Sequence, residues 1–357
     1  MARAIRLAAR GLNTTDPNPR VGCVIASGDE VLGEGYHQRA GGPHAEVVAL
    51  AAAGERARGA TAYVTLEPCS HHGRTPPCVD ALLAAGIARV VYAVRDPNPR
   101  VNGNGVARLG EAGVAVTGGV LEASARALNP GFLSRMERGR PWVRVKLASS
   151  LDGRTALAGG ESRWITGDAA RADVQKLRAR ASALMTGVGT VLQDDPRLNV
   201  RLPGATRQPL RVVLDPGLET SPEARILVPP GEALVMTASA DAVRAGRLAA
   251  AGARVENVTP GEGGLDLAAV MARLAELEVN ELHVECGATL AGALLRQGFV
   301  DEIVVYMAPT LLGEGARPLL GLGPLASMDD RPRFELLSVR RVGADLRLVL
   351  RPSAAGS

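Results

Sequence analysis

Apolar and polar residues alternate along the chain in blocks that predict strands and helices in turn. The segments VGCVIAS (21–27) and VLGEGYH (31–37) predict two strands joined by a turn at Gly28-Asp29. HAEVVALAAAGERA predicts a helix that ends near Gly59, and TAYVTLEP and ARVVYAV predict buried strands. Continuous apolar strands separated by helices are typical of a mainly parallel sheet covered on both faces.

The same alternation restarts after residue 140. Residues 121–140 contain two helical stretches around Asn129-Pro130-Gly131, and Pro141 opens a new strand. LRVVLD, ALVMTA, ELHVECG and EIVVYMAP predict further strands, and the chain closes with a hairpin predicted to turn at Gly343. A length of 357 residues fits two domains. We therefore expect an α/β protein with domains at 1–140 and 141–357.

The pentapeptide DPNPR occurs twice, at 16–20 and at 96–100. Asp, Asn and Pro favour turns, and both copies adjoin predicted strands. The flanking sequences differ, so the pattern predicts two loops at one rim of a sheet and not an internal repeat.

Composition narrows the classes of partner. The net charge is +4 and aromatic residues are only 3% of the chain, without a run of like charges or a basic stretch interleaved with aromatics. This argues against a nucleic-acid partner. No apolar run approaches ~18 residues, and no secretory signal is visible, so we expect a cytoplasmic protein without membrane spans. In a reducing compartment four cysteines are expected to be ligands or core thiols.

Histidine and cysteine cluster in two segments, PHAE (43–46) and EPCSHHGRTPPC (67–78). The pattern His-x-Glu, Pro-Cys and a second Cys is the signature of zinc-dependent deaminases. His44, Cys69 and Cys78 would supply three ligands of a tetrahedral zinc and leave one position for water. Zinc lowers the pKa of such a water toward ~7, and Glu46 would carry its protons.

Other interpretations of this cluster stay open on the residues alone. Eight residues separate the cysteines, where the short deaminase signature has two, so His71 and His72 are rival ligands for a structural Cys2His2 site. A two-residue spacing in a regular helix would also point His44 and Glu46 apart. The spacing by itself does not establish one metal site.

Longer motifs resemble a known family. PNPRVGCVI, TAYVTLEPCSHHGRTPPC, KLASSLDGRTA, GVGTVLQDDPRLNVR and VECGATLAGALL are similar to those of the bifunctional deaminase/reductases of riboflavin biosynthesis, over nearly the whole chain. The resemblance implies a cytidine-deaminase-like α/β/α sandwich followed by a dihydrofolate-reductase-like α/β domain. It implies one zinc in the first domain, NADPH in the second, a phosphorylated pyrimidine substrate and a homo-oligomer, either a dimer or a tetramer.

The resemblance also implies roles for residues of the first domain. His44, Cys69 and Cys78 would be the zinc ligands and Glu46 the catalytic acid/base, while His71 and His72 would shape the pocket loop. Asn18 and His37 would line the pyrimidine pocket. Without the resemblance, Asn18 is a turn residue and His37 a residue at a strand end.

In the second domain the resemblance implies two groups of contacts. The substrate would be held by Lys146, Ser162, Arg178, Leu198, Arg201 and Glu285. NADPH would be held by Ala148, Trp164, Thr190, Asp194, Gly287, Ala288, Thr289, Leu290, Ala291, Gly292 and Ala293. Without the resemblance, Arg178 is expected on a solvated surface, Trp164 in the core, and Asp194 in a helix cap or turn. The stretch that begins at Gly287 is then a tight strand-to-helix turn.

One position departs from the family pattern. Pro216 follows the Asp of LRVVLD, where relatives can have a polar residue, so a side-chain contact to the cofactor is lost there. The alternatives to the family function are a nucleic-acid or nucleoside deaminase with an accessory domain, a zinc scaffold without activity, and a fusion in which only one half works.

Overall fold

The computed structural model describes residues 1–70, 76–99 and 101–353. The chain divides into two compact units, Met1–Arg140 and Pro141–Ser357. In the part of the chain that is described, no helix combines the length and the apolar character that crossing a membrane requires.

The first unit is a sheet with helices on both faces. Its five strands are ordered β2-β1-β3-β4-β5, with β2–β1 and β1–β3 antiparallel and the other two pairings parallel. The strands are β1 (Gly22–Ser27), β2 (Glu30–Tyr36), β3 (Thr61–Leu66), β4 (Arg89–Val94) and β5 (Ala115–Thr117). The helices are α1 (Ala2–Ala8), α2 (Ala45–Ala53), α3 (Cys78–Ala84), α4 (Asn104–Glu111), α5 (Glu122–Arg126) and α6 (Pro130–Arg138).

The predicted hairpin at Gly28-Asp29 is confirmed, because β1 and β2 pair on either side of it. The predicted extent of the next helix is wrong. α2 ends at Ala53, and a short 3-10 turn, Gly54–Ala57, replaces its expected last turn. Gly54 has φ +59°, a left-handed value that ends an α-helix, and glycine adopts it without a steric penalty.

Helix α2 lies directly on strand β2, with no side chain between the two backbones. A Cβ atom at Gly35 would lie 2.4 Å from the Ala45 carbonyl oxygen, and one at Gly33 would lie 2.3 Å from that of Ala49. The helix meets these glycines with small, buried residues such as Ala45 and Ala49. This close approach fixes the start of α2, where His44 and Glu46 lie.

The second unit has a nine-stranded sheet in the order β11-β10-β9-β8-β14-β6-β15-β18-β17. The pairings from β11 to β15 are parallel, and β18 and β17 are antiparallel to their neighbours. The strands of this sheet are β6 (Trp142–Ser149), β8 (Ala183–Gly187), β9 (Leu210–Leu214), β10 (Ala233–Thr237), β11 (Ala253–Asn257), β14 (Glu281–Glu285), β15 (Glu302–Met307), β17 (Phe334–Val342) and β18 (Asp345–Pro352). Two minor pairs are β7 (Arg154–Ala156) with β16 (Arg317–Pro318) and β12 (Pro260–Gly261) with β13 (Gly264–Leu265).

Helices cover both faces of this sheet as well. They are α7 (Asp168–Arg180), α8 (Val188–Asp194), α9 (Ala242–Ala250), α10 (Leu267–Glu276) and α11 (Ala288–Arg296). Helices α10 and α11 enclose the largest apolar core, with Val145, Val284 and Met271 at its centre. The predicted terminal hairpin at Gly343 is confirmed as β17 and β18. The two minor strand pairs were not predicted, because two or three residues carry no readable periodicity.

The contact between α2 and β2 predicts that a Gly→Ala substitution within it lowers stability, whereas the same substitution in an exposed helix raises it. We expect Gly35→Ala to destabilise the first unit by about 1–3 kcal/mol, because the new methyl group meets a backbone oxygen that cannot move alone. Gly110→Ala, in an exposed part of α4 with nothing near the new atom, is expected to stabilise by up to about 1 kcal/mol. Hydrogen exchange in urea, followed in peptides of the first unit, measures both. Equal effects of the two substitutions would contradict the close-packing argument.

Candidate functional site

Three side chains of the first unit converge on one point. His44 is the residue before α2, Cys69 lies beyond the end of β3, and Cys78 is the first residue of α3. One ligand atom from each residue, a His44 ring nitrogen and the two cysteine sulfur atoms, lies within 4.8 Å of the other two. His44 Nδ1 is 3.1 Å from Cys78 Sγ and 3.5 Å from Cys69 Sγ. One imidazole and two thiols are a donor set that suits zinc and leaves a fourth tetrahedral position open.

The backbone supports this arrangement. His44 has an extended conformation (φ −73°, ψ 160°) and stands outside the regular helix, so the two-residue spacing to Glu46 does not separate the side chains as it would within a helix. The Cys78 main-chain N–H donates to Cys69 Sγ at 3.4 Å. The hydrogen bond between the two cysteines lowers the pKa of the Cys69 thiol, which favours the thiolate that binds metal.

Glu46 lies in the first turn of α2 and is only 3% exposed. Burial, followed by the negative charge of Cys69, raises the pKa of its carboxyl group to about 7. A carboxyl group in such a position exchanges protons near neutral pH.

Asn18 and His37 are brought together beside the metal-ligand cluster. The Asn18 amide nitrogen is 3.1 Å from His37 Nε2, and His37 Nδ1 is 2.9 Å from the Pro43 carbonyl oxygen. Since the carbonyl accepts from Nδ1–H, Nε2 is left to accept from Asn18, which fixes the neutral tautomer. Burial lowers the pKa of His37 and keeps it neutral. Its ring packs edge-on against that of His44, with centroids 5.5 Å apart.

The second DPNPR copy contributes a residue that the sequence interpretation left as a turn. Asp96 follows β4, is 6% exposed, and accepts the Asn98 main-chain N–H at 2.9 Å. Burial and the nearby charges of Glu67 and Cys69 raise the pKa of Asp96 to about 7. The signal in the sequence was positional: β3 and β4 are parallel neighbours, so the residues after each strand end at the same edge. The predicted roles of His71 and His72 lie outside the described residues.

The second unit places an ionic cluster at the carboxyl ends of two central strands. Glu285 ends β14 and stands opposite Lys146 of β6. Arg178 of α7 donates two hydrogen bonds to Glu285, from Nε at 2.6 Å and from a terminal nitrogen at 3.0 Å. Glu285 Oε2 is 4.0 Å from Lys146 Nζ, and Glu285 Oε1 is 3.3 Å from His283 Nε2. The structure therefore places Lys146, Arg178 and Glu285 together, and Arg178 is 9% exposed, unlike the solvated arginine of the alternative interpretation.

Burial dominates the electrostatics of this cluster. It is the largest single influence on Glu285 and opposes ionisation, but the charge of Arg178, the hydrogen bonds from His283 and Arg178, and the charge of Lys146 together outweigh it. The pKa of Glu285 therefore stays well below its ordinary value. Burial also lowers the pKa of Lys146, partly offset by Glu285. A carboxylate, an arginine and a lysine are thus held in one protected place.

Arg201 and Leu198 lie next to this cluster. Arg178 donates to the Asn199 carbonyl oxygen at 3.0 Å, and Arg201 donates to the Asn199 side chain at 2.9 Å. Burial and the neighbouring charge of Arg178 lower the pKa of Arg201. Leu198 is 3% exposed and packs in a core.

Two helix N-termini stand side by side at the same edge of the sheet. Helices α8 and α11 each begin directly after a glycine, Gly187 and Gly287, at the ends of neighbouring parallel strands β8 and β14. Within the described residues, no side chain caps either helix. Their first main-chain N–H groups are therefore available for phosphate oxygens.

The stretch from Gly287 to Ala293 has two different surroundings. Gly287 and Thr289 are exposed, and Ala288 and Leu290 are half-buried. Ala291 and Gly292 lie on the buried face, where a Cβ atom at Gly292 would come 2.2 Å from the Gly321 carbonyl oxygen. Thr190 is half-buried in the first turn of α8, and Ala148 is half-buried on β6.

Trp164 and Ser162 lie in a loop away from any core. Trp164 is 70% exposed, so the core alternative for it is wrong, and the Arg171 guanidinium stands 4.4 Å over its ring. Arg163 donates to the Asp194 carbonyl oxygen at 2.5 Å, which ties this loop to the end of α8. No hydrogen bond of Ser162 is recorded among the described residues.

Neighbouring residues form hydrogen bonds with the polar groups around Pro216. Thr237 Oγ1 donates to the Pro216 carbonyl oxygen at 3.1 Å, and Asp215 accepts from the main-chain N–H of Glu219 and Thr220 at 2.9 and 2.7 Å. The side chain at position 216 offers no hydrogen bond, as the sequence indicates.

Comparisons with known proteins assign a family to each half of the chain. Residues 1–94 match the cytidine and deoxycytidylate deaminase zinc-binding region, and residues 141–348 match the RibD C-terminal domain. The riboflavin biosynthesis protein RibD of Escherichia coli (strain K12) is 51% identical, with 98% of each chain covered. That of Haemophilus influenzae is 45% identical, covering 99% of this chain and 96% of the relative.

Solved structures give the same result. RibD of Acinetobacter baumannii superposes with a TM-score of 0.92 at 47% identity, covering 99% of this chain and 98% of the other. The diaminohydroxyphosphoribosylaminopyrimidine deaminase/5-amino-6-(5-phosphoribosylamino)uracil reductase of Thermotoga maritima superposes with a TM-score of 0.86 at 35% identity, covering 99% and 97%. With the zinc-binding region matched around His44, Cys69 and Cys78, the chain belongs to the RibD family of bifunctional deaminase/reductases of riboflavin biosynthesis.

Proposed function

We propose that the two activities are divided between the two units. Met1–Arg140 removes an amine from 2,5-diamino-6-(5-phosphoribosylamino)pyrimidin-4(3H)-one, and Pro141–Ser357 reduces the ribosyl chain of the product to ribityl. The observation that carries the proposal is the convergence of His44, Cys69 and Cys78, with ligand atoms within 4.8 Å, beside the buried Glu46. The activity for which the Thermotoga maritima relative is named supports the choice of substrate.

In deamination, a C–O bond forms at the ring carbon, the C–N bond breaks, and ammonia leaves. Glu46 takes a proton from the attacking water and delivers protons to the ring nitrogen and the departing amine. His44, Cys69 and Cys78 hold the zinc, which activates that water when it is bound. His37 Nε2 holds the Asn18 amide at 3.1 Å, and Asn18 presents its remaining N–H and its oxygen to the pyrimidine.

In reduction, a C–H bond forms at the anomeric carbon, the ring C–O bond opens, and the released oxygen gains a proton. Lys146 of β6 lies beside Glu285, and its largely buried ammonium group would deliver that proton. Arg178 and Glu285 hold the ribose, and Arg201 with Ser162 and the backbone of Leu198 holds the phosphate side. The bidentate pair of Arg178 with Glu285 orients both groups before substrate arrives.

NADPH fits the paired N-termini of α8 and α11. Their uncapped N–H groups suit its pyrophosphate, and Gly287 to Leu290 with Thr190 are the residues near enough to the surface to contact it. Ala148 would face the nicotinamide, and Trp164 with Asp194 would close the loop side. Ala291, Gly292 and Ala293 would support this turn from behind. The cofactor supplies the hydride that forms the C–H bond.

We further propose that the protein is a cytoplasmic homo-oligomer. Free Cys69 and Cys78 must stay reduced to bind zinc, which fits a reducing compartment. At the edge of the large sheet, Leu336 (54% exposed), Val339 (52%) and Leu346 (42%) share one face of β17 and β18 by their register. An edge strand with an apolar face is a template for pairing with a second copy of the chain.

Glu46→Gln is expected to lower deamination by about 10²–10⁴-fold, because the amide cannot carry protons. Zinc content and reduction of the already deaminated substrate are expected to stay at wild-type levels. NADPH oxidation, measured with each substrate, and metal analysis check this. Undiminished oxidation with the undeaminated substrate would contradict the order of the two reactions.

Lys146→Ala is expected to abolish most NADPH oxidation with deaminated substrate and to leave ammonia release intact, because the proton donor is lost. The matched control is Lys176→Ala, whose side chain is 72% exposed and pairs only loosely with Asp173 at 3.6 Å. The control should retain both activities. A parallel loss of deamination in Lys146→Ala would indicate misfolding and would remove the support for this role.

Val339→Lys is expected to lower the mass of the assembly in sedimentation, because a charge enters the apolar face. Glu335→Lys on the same strand, with an exposed polar side chain already in place, is the control. A wild-type chain that sediments as a monomer would contradict the proposed assembly.

A further inference from the structure

Glu67 joins the end of β3 to the segment that follows β4. It is 3% exposed, yet no positively charged side chain is recorded against it among the described residues. Its carboxylate accepts three main-chain N–H groups instead. Oε2 accepts from Gly103 at 3.0 Å and from Asp96 at 3.3 Å, and Oε1 accepts from Val106 at 3.3 Å. A carboxylate without a cation is retained in a buried place only when such hydrogen bonds satisfy it.

The three donors span the loop that carries the second DPNPR copy. Asp96 opens this loop, and Gly103 and Val106 belong to the start of α4. Two residues after Glu67 along the chain is the ligand Cys69. One carboxylate therefore holds both the exit of β3 that leads to the metal ligand and the loop on the neighbouring strand.

Helix α4 is also pressed against this strand exit from its other side. A Cβ atom at Gly105 would come 2.1 Å from the Pro68 carbonyl oxygen and 3.2 Å from Glu67 Oε1. The N–H groups that Glu67 accepts and the glycine contact fix the same helix start at two points. The loop between them has little freedom to move relative to Cys69.

The loop held in this way faces the metal-ligand cluster. Asp96 is buried, and its carboxyl group lies within electrostatic range of both Glu67 and Cys69. The Asn98 main-chain N–H donates to Asp96 Oδ1 at 2.9 Å, which holds this side chain against its own loop. Residues 96–99 and 101–103, which we call the second-copy loop, therefore begin with a buried carboxylate near the ligand Cys69.

We propose that Glu67 is a positioning residue for deamination: its carboxylate holds the second-copy loop beside the zinc ligands and so sets the affinity for the pyrimidine. The inference rests on the proposed deaminase function. It assigns Glu67 no contact with substrate or metal. The alternative is that Glu67 only supports the fold or the ligand Cys69.

The test is Glu67→Gln in the full-length protein. Glutamine has one acceptor oxygen, so either Oε2 with its two donors or Oε1 with its one donor is lost. We expect KM for the pyrimidine to rise about tenfold, which is the effect of about 1.4 kcal/mol of lost binding, with kcat within about twofold. Hydrogen exchange should increase in residues 95–106, while zinc content and reduction of deaminated substrate should not change.

Gly105→Ala is the second variant, because it displaces the same helix start while the Glu67 carboxylate keeps both acceptor oxygens. It should also raise KM and the exchange of residues 95–106. Glu111→Gln, at the exposed far end of α4, is the matched control and should match the wild type in every measurement.

An unchanged KM in both variants overturns the proposal. So does a loss of zinc or of kcat in Glu67→Gln that equals its effect on KM, because Glu67 would then act through Cys69. If Glu67→Gln does not fold, as increased hydrogen exchange throughout residues 1–140 would indicate, Gly105→Ala decides alone. Failure of the proposed function would be seen separately, as an absence of deamination in the wild type.

Discussion

The close approach of α2 to β2 is the constraint on which the first site depends. Gly33 and Gly35 leave no side chains between strand and helix, and the alanines of α2 accept this distance. The start of α2 is thereby fixed. This fixes the positions of His44, which has an extended backbone, and of the buried Glu46 in the first turn of the helix. A ligand that stands just outside a helix is only as well placed as the helix itself. Backbone contact holds it more rigidly than interlocking side chains would, since neither partner has rotamers to exchange.

The site of the second unit depends on a different constraint, because charged side chains are held there away from water. Glu285 of β14, Lys146 of β6 and Arg178 of α7 meet where each alone would lose hydration energy. Their mutual pairing offsets that loss, and Arg178 contributes both its charge and two hydrogen bonds to Glu285. A pair of this kind is costly to break by removing one member. The cluster is therefore better explained by its chemistry than by stability, because apolar residues would fill the same space at less cost.

Much of this organisation follows from short-range patterns. The periodicity of VGCVIAS and VLGEGYH predicted β1 and β2, and the terminal hairpin was predicted at Gly343, because alternation and turn residues act locally. The zinc ligands were found because His-x-Glu and Pro-Cys carry their chemistry in fixed spacings. The roles of Glu67 and Asp96 were not predicted. They depend on a contact between the ends of neighbouring strands, 29 residues apart in sequence. The exposure of Trp164 and the burial of Arg178 likewise depend on packing that composition does not encode.

Parallel pairing brings these long-range residues together in both units. β3 and β4 end at one edge and lead to Cys69 and Asp96 there, while β14 ends at Glu285, beside Lys146 of the neighbouring strand β6. In the first unit residues that follow the strands supply the chemistry, and in the second unit residues of the strands themselves do. The two carboxylates differ in what satisfies them: Glu285 has a guanidinium, whereas the partners of Glu67 among the described residues are main-chain N–H groups. In the functions we propose, the first arrangement presents charge to a ligand and the second fixes the position of a loop, so burial alone does not reveal which role a carboxylate has.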